Sequence, residues 1–461
     1  MRIRILLVLS VCIYLFAPAI TLGQQQDKIS TELIKIGPNI LVGTTGGPNE
    51  QVIEPHLSAH PTNSNHLIGV GWVFSTTGER SNLDIEKCKV VVSRDGGKNW
   101  KESHLKGKGC ADPWITLTEN NAVISTLAHP PNFVGPERLE NRHQLILYFS
   151  FDGGDSWTEA PQKLGYSHDG PRSTADKKGN IYIVSRDSHT NQSNKPRFRI
   201  YIGHIEPGIP FSESRAYLIP SNLNFSFDGV TTLSDGTLLF SYQDYQRPVD
   251  GFNNRGRFGR LNTRRQWAIN SSDQGNTFST NLLISETCYD RANDLTADVH
   301  SERFKDRLYS ICSGDGWKTL QVNISTDRGE EWTDPILVEE SESIPGIRIE
   351  PQFAVNKNGI LGVAWLDSRD KPEEGCYTPY VSFSKDGGMN FSEPKRVGNE
   401  LSCPDPDSAG SFVISRWPEG GDYFGFTAAA DGRFHLLWSD ARNGKFVLRT
   451  TAVIVGTSNN D

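Results

Sequence analysis

Five octapeptides of one recipe recur along the chain: SRDGGKNW (Ser93–Trp100), SFDGGDSW (Ser150–Trp157), SSDQGNTF (Ser271–Phe278), STDRGEEW (Ser325–Trp332) and SKDGGMNF (Ser384–Phe391). Each has a serine, an aspartate two places on, a glycine two further and an aromatic three after that. Aspartate and glycine suit a tight turn, because Asp bonds its own backbone and Gly accepts positive φ. The aromatic is then placed to pack back onto the strands that the turn joins. The expected role is structural, a stapled turn rather than five ions or five catalytic aspartates.

The octapeptides under-count a longer period. Acidic residues open seven apolar runs, at Glu54, Asp112, Asp169, Asp228, Asp294, Glu350 and Asp422, spaced by 58, 57, 59, 66, 56 and 72 residues. A second run follows each start, a third leads into the octapeptide where there is one, and a short fourth follows it. Four short strands repeating about every 60 residues is the pattern of a β-propeller blade. The reading is therefore an all-β, single β-propeller of four-stranded blades, seven favoured, with six open if one start is an insertion. The seventh repeat has room for only three strands. Its missing outer strand is available in ELIKIGPNILVG, residues 32–43, so an N-terminal strand is expected to close the ring and remove an exposed edge.

Residues 1–23 read as a signal peptide, with Arg2 and Arg4 before an apolar run to about Ile20. The propeller then occupies 24–461, and no later apolar run reaches the roughly 18 residues of a membrane span. A secreted or periplasmic chain is expected. Outside the leader, Cys88, Cys110, Cys288, Cys312, Cys376 and Cys403 fall into three near-neighbour pairs. Six cysteines allow 15 pairings; sequential pairing is favoured in an oxidising compartment. No CxxC occurs, so no metal is expected. Net charge is −8, and −10 without the two leader arginines, which argues against nucleic acid as partner.

Antiparallel order places the 1–2 and 3–4 turns of every blade, the latter holding the octapeptides, on one face. The 2–3 turns and the crossovers between blades lie on the other. Charged residues gather on that crossover face: Glu54, Asp112, His168, Asp169, Arg172, Asp228, Arg291, Asp294, Arg348, Glu350, Asp422 and Tyr423 at inner-strand starts, with Asp298 and His300 slightly further along. Second strands end in Arg186, Asp187 and His189, Asp244 and Arg247, Asp367 and Arg369, and Asp440 and Arg442. Arginines grip carboxylates bidentately, and an Asp or Glu serves as acid or base. Set against this, the D-x-R pairs and the acidic starts repeat with the fold. In a structural role each Asp would bond its own turn and each Arg would bridge to the next blade.

The motif S-x-D-x-G-x-x-[WF], repeated in a propeller, resembles the Asp-box (BNR) repeat of sialidases and their relatives, over nearly the whole mature chain. The resemblance implies an exported sialidase-like glycoside hydrolase without a cofactor, acting as a monomer on a glycan, carboxylated or not. Asp298, Glu350, Asp422 and Tyr423 are the catalytic candidates, a Tyr–carboxylate pair supplying the nucleophile as in sialidases. His168, Arg172, Arg186, Arg348, Arg369 and Arg442 are the candidates for substrate binding. The chain departs from the family in lacking an F/Y-R-I-P motif before the first octapeptide; the nearest string, IRIEP (Ile347–Pro351), lies in the sixth repeat. Two other classes stay open: a non-catalytic glycan- or protein-binding propeller, and a uronate lyase with His300, His168 or Tyr423 as base. Sequons stand at Asn191, Asn224, Asn270, Asn323 and Asn390.

Overall fold

The computed structural model describes residues 30–456, except 44–49, 76–86, 107–108, 129–142, 160, 167, 188–196, 212, 219–223, 246–263, 315, 340–343, 411–412 and 415–416. The proposed leader, His189, Arg247 and the Asn191 sequon lie outside the described residues. So do the side chains of Arg291 and Asn224.

Seven antiparallel blades form the propeller. Blades 1, 2, 3 and 6, at 50–104, 111–166, 168–218 and 348–396, are separate four-stranded sheets with strands in chain order. Blades 4 and 5 are joined without a crossover, because the strand Leu282–Ala297 is the outer strand of one and the inner strand of the other. Blade 7 takes three strands from the C-terminal end (Gly425–Ala428, Phe434–Asp440 and Val447–Val455) and its outermost from the N-terminus. Ile34, Lys35 and Ile36 pair with Val455, Ile454 and Val453, and Ile40–Leu41 pairs further along the same partner. Ile34 is fully buried there.

The octapeptides explain their own recipe. In the first, Ser93 Oγ accepts the Gly97 N–H at 2.9 Å and donates to Asp95 Oδ1 at 3.0 Å. That oxygen in turn accepts the N–H groups of Lys98 and Asn99, while Trp100 Nε1 donates to the Gly97 carbonyl. The Ser–Gly bond recurs at Gly154, Gly275, Gly329 and Gly388, all with positive φ. Hydrogen bonds from the Thr277 side chain and backbone pull the Asp273 carboxyl down to about 2. Asp386→Ala strips out four such bonds, from Ser384, Met389 and Asn390. It should lower unfolding stability by about 1–2 kcal/mol, read by denaturant melting, as loss of a helix N-cap does.

Octapeptides also dock on the neighbouring blade. His66 Nε2 lies 2.8 Å from the Gly153 carbonyl, Arg94 pairs with Asp155, and Arg328 of blade 5 reaches Asp235 of blade 4. His66 and His435 are buried in these seams. Burial, then Arg94 and Arg433 respectively, lower both to about 4. The unfolded histidines titrate near 6.5, so between pH 6.5 and 4 the unfolded chain binds more protons and stability is lost as pH falls. His66→Gln with His435→Gln should remove up to about 2 kcal/mol per histidine of the loss between pH 7 and 5, measured by urea unfolding.

All three disulfides follow sequential pairing: Cys88–Cys110, Cys288–Cys312 and Cys376–Cys403. The first and third tie chain segments on the crossover face. No helix among the described residues is long and apolar enough to cross a membrane.

Candidate functional site

The inner strand of a propeller blade has a free edge towards the axis, with N–H and C=O groups that need partners. Here five of the inner strands break their ladder at the acidic start. Register shifts fall between Ile53 and His56, Ala111 and Trp114, Asp169 and Arg172, Phe227 and Val230, and Ile349 and Gln352. Glu54, Asp112 and Glu350 sit at these bulges with φ of 52°, 48° and 53°, each before a proline; Gly170 takes the same conformation in blade 3. A left-handed backbone costs an L-residue of this kind about 1 kcal/mol or more, so the acid supplies something that glycine does not.

It supplies a cap for the neighbouring blade. Asp112 N–H donates to Glu54 Oε2 at 3.2 Å, and Gly170 N–H donates to Asp112 Oδ2 at 3.1 Å. Two residues further down the strands the pattern repeats with other side chains. Ile115 N–H donates to His56 Nδ1, and Phe353 N–H to Asp294 Oδ2. The free inner edge is thus sealed blade to blade.

A stack of rings fills the axis. The Arg172 guanidinium lies 4.2 Å from the Trp114 ring and 4.3 Å from the Tyr423 ring, against the corner that these two rings make in edge contact at 5.4 Å. His56 stacks on Trp114 at 3.5 Å. Tyr423 comes from blade 7 and its hydroxyl donates to the Pro113 carbonyl of blade 2. Burial, with Glu54 and Asp112 beside it, pushes that phenol well above its usual range, while burial and Arg172 hold His56 well below its own.

Beside the stack, Asp112 of blade 2 lies within electrostatic reach of Asp169 of blade 3 and of Asp422, which precedes the inner strand of blade 7. Burial first, then the charges of Asp169 and Asp422, raise Asp112 to about 6. Asp169 is nearly half exposed and pairs with Arg186 at 3.2 Å. Asp294 is also raised to about 6 by burial, against hydrogen bonds from Phe353 and Leu295 and the charge of Arg172. A carboxyl raised to about 6 with further carboxylates near it is an arrangement that general acid–base chemistry uses. No group of three or more His, Cys, Asp or Glu among the described residues is arranged to hold a metal ion. A cavity of about 390 Å³ lies away from this centre, against Leu337, Glu339, Met389 and Phe391 at the periphery of blades 5 and 6.

Of the residues singled out from sequence, Arg172, Asp422 and Tyr423 meet at the centre, with Arg186 on its rim through Asp169. Asp298 does not: its strand ends at Ala297, and Asp298 caps the 1–2 turn by accepting the N–H groups of His300 and Ser301, on the octapeptide face. His300 goes with it. Arg348 is buried against Glu339 and Asp367 at 3.6 and 3.7 Å, and Arg369 grips Glu339 through two 2.8 Å bonds and Asp367 through one of 2.5 Å. Arg442 pairs with Asp440 and Glu400. These arginines bridge to the connector that enters their own blade, not to the following blade. Each D-x-R aspartate bonds its own turn, as expected of a structural pair. His168 is buried between Ser185 and Tyr201. Glu350 is buried near Tyr377 in the seam between blades 6 and 7. The residues that sequence reasoning discounted are Glu54, Asp112, Asp169 and Asp294, and those it passed over are His56 and Trp114. The signal was there in blade 3, where arginine alone occupies the position held by His56 and Trp114 in its neighbours.

No protein-family model matches the chain, and no curated protein matches it in sequence. Solved structures do match in fold. The GH93 α-L-arabinofuranosidase of Fusarium graminearum is 10% identical with a TM-score of 0.51, covering 91% of this chain and 98% of its own. A polysaccharide lyase described as PL25 ulvan lyase is 11% identical with a TM-score of 0.52, over 90% and 96%. A protein of unknown function from Dyadobacter fermentans is 11% identical with a TM-score of 0.51, over 92% and 99%. The chain shares their propeller fold over nearly its whole length.

Proposed function

We propose that this chain is an exported glycoside hydrolase whose substrate enters from the crossover face, with Asp112 as proton donor and Asp422 or Asp169 as the second carboxyl of the reaction. The observation that carries the reading is the setting of Asp112, whose N–H donates to Glu54 of blade 1 and whose Oδ2 accepts the Gly170 N–H of blade 3, with its carboxyl raised to about 6 by burial and then by Asp169 and Asp422. That the fold is shared with an arabinofuranosidase and a polysaccharide lyase supports a glycan as substrate. The apolar N-terminal leader and the three disulfides support export, and the mature chain, 24–461, is taken as one monomeric propeller.

The charge balance favours an uncharged sugar over a carboxylated one. Arg172 is buried against the Trp114 and Tyr423 rings, and Arg348, Arg369 and Arg442 are held in ion pairs, so a sialidase-like triple grip on a carboxylate has little support. A uronate lyase has less. Tyr423 is a poor base with a raised phenol, His168 is hydrogen-bonded at both nitrogens, and His300 lies on the other face.

The test is a panel of neutral, sialylated and uronate-containing oligosaccharides. Reducing sugar released from neutral substrates supports the proposal. Free sialic acid supports the sialidase-like form, and ultraviolet absorbance from an unsaturated uronate supports the lyase. Binding without any product makes the propeller a glycan-binding module.

A further inference from the structure

Blade 3 departs from the repeat where its inner strand breaks. In blades 1, 2 and 6 the residue before the break is apolar and pairs with an apolar residue on the second strand: Ile53 with Trp72, Ala111 with Leu127 and Ile349 with Leu366, all buried. The left-handed acid comes next, Glu54, Asp112 or Glu350, and a proline follows it. In blade 3 the acid stands one place earlier. Asp169 takes the apolar position, its cross-strand partner is Arg186, and Gly170 takes the left-handed position before Pro171.

Packing does not explain the exchange. Arg186 Nη1 donates to Asp169 Oδ2 at 3.2 Å, but the two side chains are 34% and 44% exposed, and an exposed ion pair contributes little to stability. Arg186 is held by blade 4 as well, its guanidinium 5.2 Å from the Phe225 ring. The glycine opens room. Asp112 Oδ2 accepts the Gly170 N–H at 3.1 Å, so its carboxyl caps the peptide that joins Asp169 to Gly170. A Cβ on Gly170 would meet nothing within 4 Å among the described residues. Where blades 1 and 6 bury a glutamate, blade 3 leaves open space beside the Asp112 carboxyl.

We infer that this space is a sugar site: one ring of the glycan lies over Gly170, bordered by Asp112 and by the Asp169–Arg186 pair. The ligand class is a neutral sugar, whose hydroxyls donate to the two carboxyls. Asp169, rather than Asp422, is then the second carboxyl of the reaction, and Arg186 is a positioning residue that holds it. Those two roles rest on the proposed hydrolysis; the sugar site does not, since a glycan-binding propeller would use the same space.

Filling the space tests it. Gly170→Gln places in blade 3 the shape that blades 1 and 6 carry at the same left-handed φ, without a charge. Gly170→Ala brings the backbone strain with only a methyl group, so both should melt at an equally lowered temperature. On the neutral oligosaccharide that wild type cleaves, Gly170→Gln should lower kcat/KM by about 10²-fold or more and Gly170→Ala by less than about tenfold. Equal losses in the two, or no loss in either, overturn the site. Gly170→Asn, which tolerates a left-handed backbone, replaces Gly170→Gln if that variant does not fold. Asp169→Asn should lower kcat by about 10²-fold or more and Asp422→Asn by less than about tenfold; the reverse order overturns the role of Asp169. Arg186→Gln should lower kcat with KM little changed, and Arg186→Lys, which keeps an ion pair, should recover most of the loss. No recovery by lysine overturns the positioning role. If wild type cleaves nothing, crystals of wild type and Gly170→Gln soaked in concentrated glucose decide: a ring over Gly170 in wild type alone supports the site, and only water there overturns it. If Asp112→Asn abolishes cleavage while Gly170→Gln leaves it unchanged, the proposed hydrolysis stands and the sugar site fails.

Discussion

Asp112→Asn is expected to lower kcat for glycan cleavage by about 10²- to 10⁴-fold, the range that a positioned general acid contributes. Asparagine is nearly the same shape, keeps an oxygen to accept the Gly170 N–H and removes the cost of ionising a buried carboxyl, so thermal unfolding at pH 7 should not fall. The pH profile provides a second reading. With Asp112 titrating at about 6 in the folded protein, its acid form falls roughly tenfold per pH unit above that value, and cleavage should fall with it. The variant should lose that limb altogether. Unchanged turnover in the variant, or a wild-type profile flat from pH 5 to 8, would remove Asp112 from the chemistry.

Arg172→Ala should destabilise the fold by about 3–5 kcal/mol, the cost of breaking up a buried charged contact. The guanidinium makes two cation–π contacts shielded from water, each worth up to about 2 kcal/mol. Removing it leaves a cavity beside the Trp114 and Tyr423 rings and takes a compensating charge away from Asp294. Arg172→Lys should recover less than half of the loss, because an ammonium cannot lie flat against two rings. Denaturant midpoints at pH 7 measure both. If alanine costs less than 1 kcal/mol, the stack does not hold the axis together.

The scaffold could be read from the chain because its causes are local and periodic. A serine hydroxyl that caps a glycine N–H four residues on, and an aspartate that caps the same turn, act within eight residues. Seven repeats and a borrowed outer strand followed from counting. The centre was harder, since its contacts run between blades. Trp114 and Tyr423 are 309 positions apart and pack against an arginine from a third blade. Glu339 and Glu400, which hold Arg369 and Arg442, sit in connectors with no fixed spacing from their partners. Asp298 was misplaced for a different reason. It matches Asp176, which caps the 1–2 turn of blade 3 through Lys178 and Asn180, and aligning those two turns would have put it on the octapeptide side. The acidic starts were discounted because they repeat, yet the ring needs their repetition to seal its inner edge, and that same edge lines the proposed site.

The pairing of Ile34–Ile36 with Val453–Val455 has a bearing on how the polypeptide is made. The first strand to leave the ribosome has no partner until the last one has emerged, so over four hundred residues must be synthesised before the circle can be completed. Until then the nascent molecule is an open arc with two sticky ends, and a chain of that kind remains threadable through a translocation pore up to its final moments of synthesis.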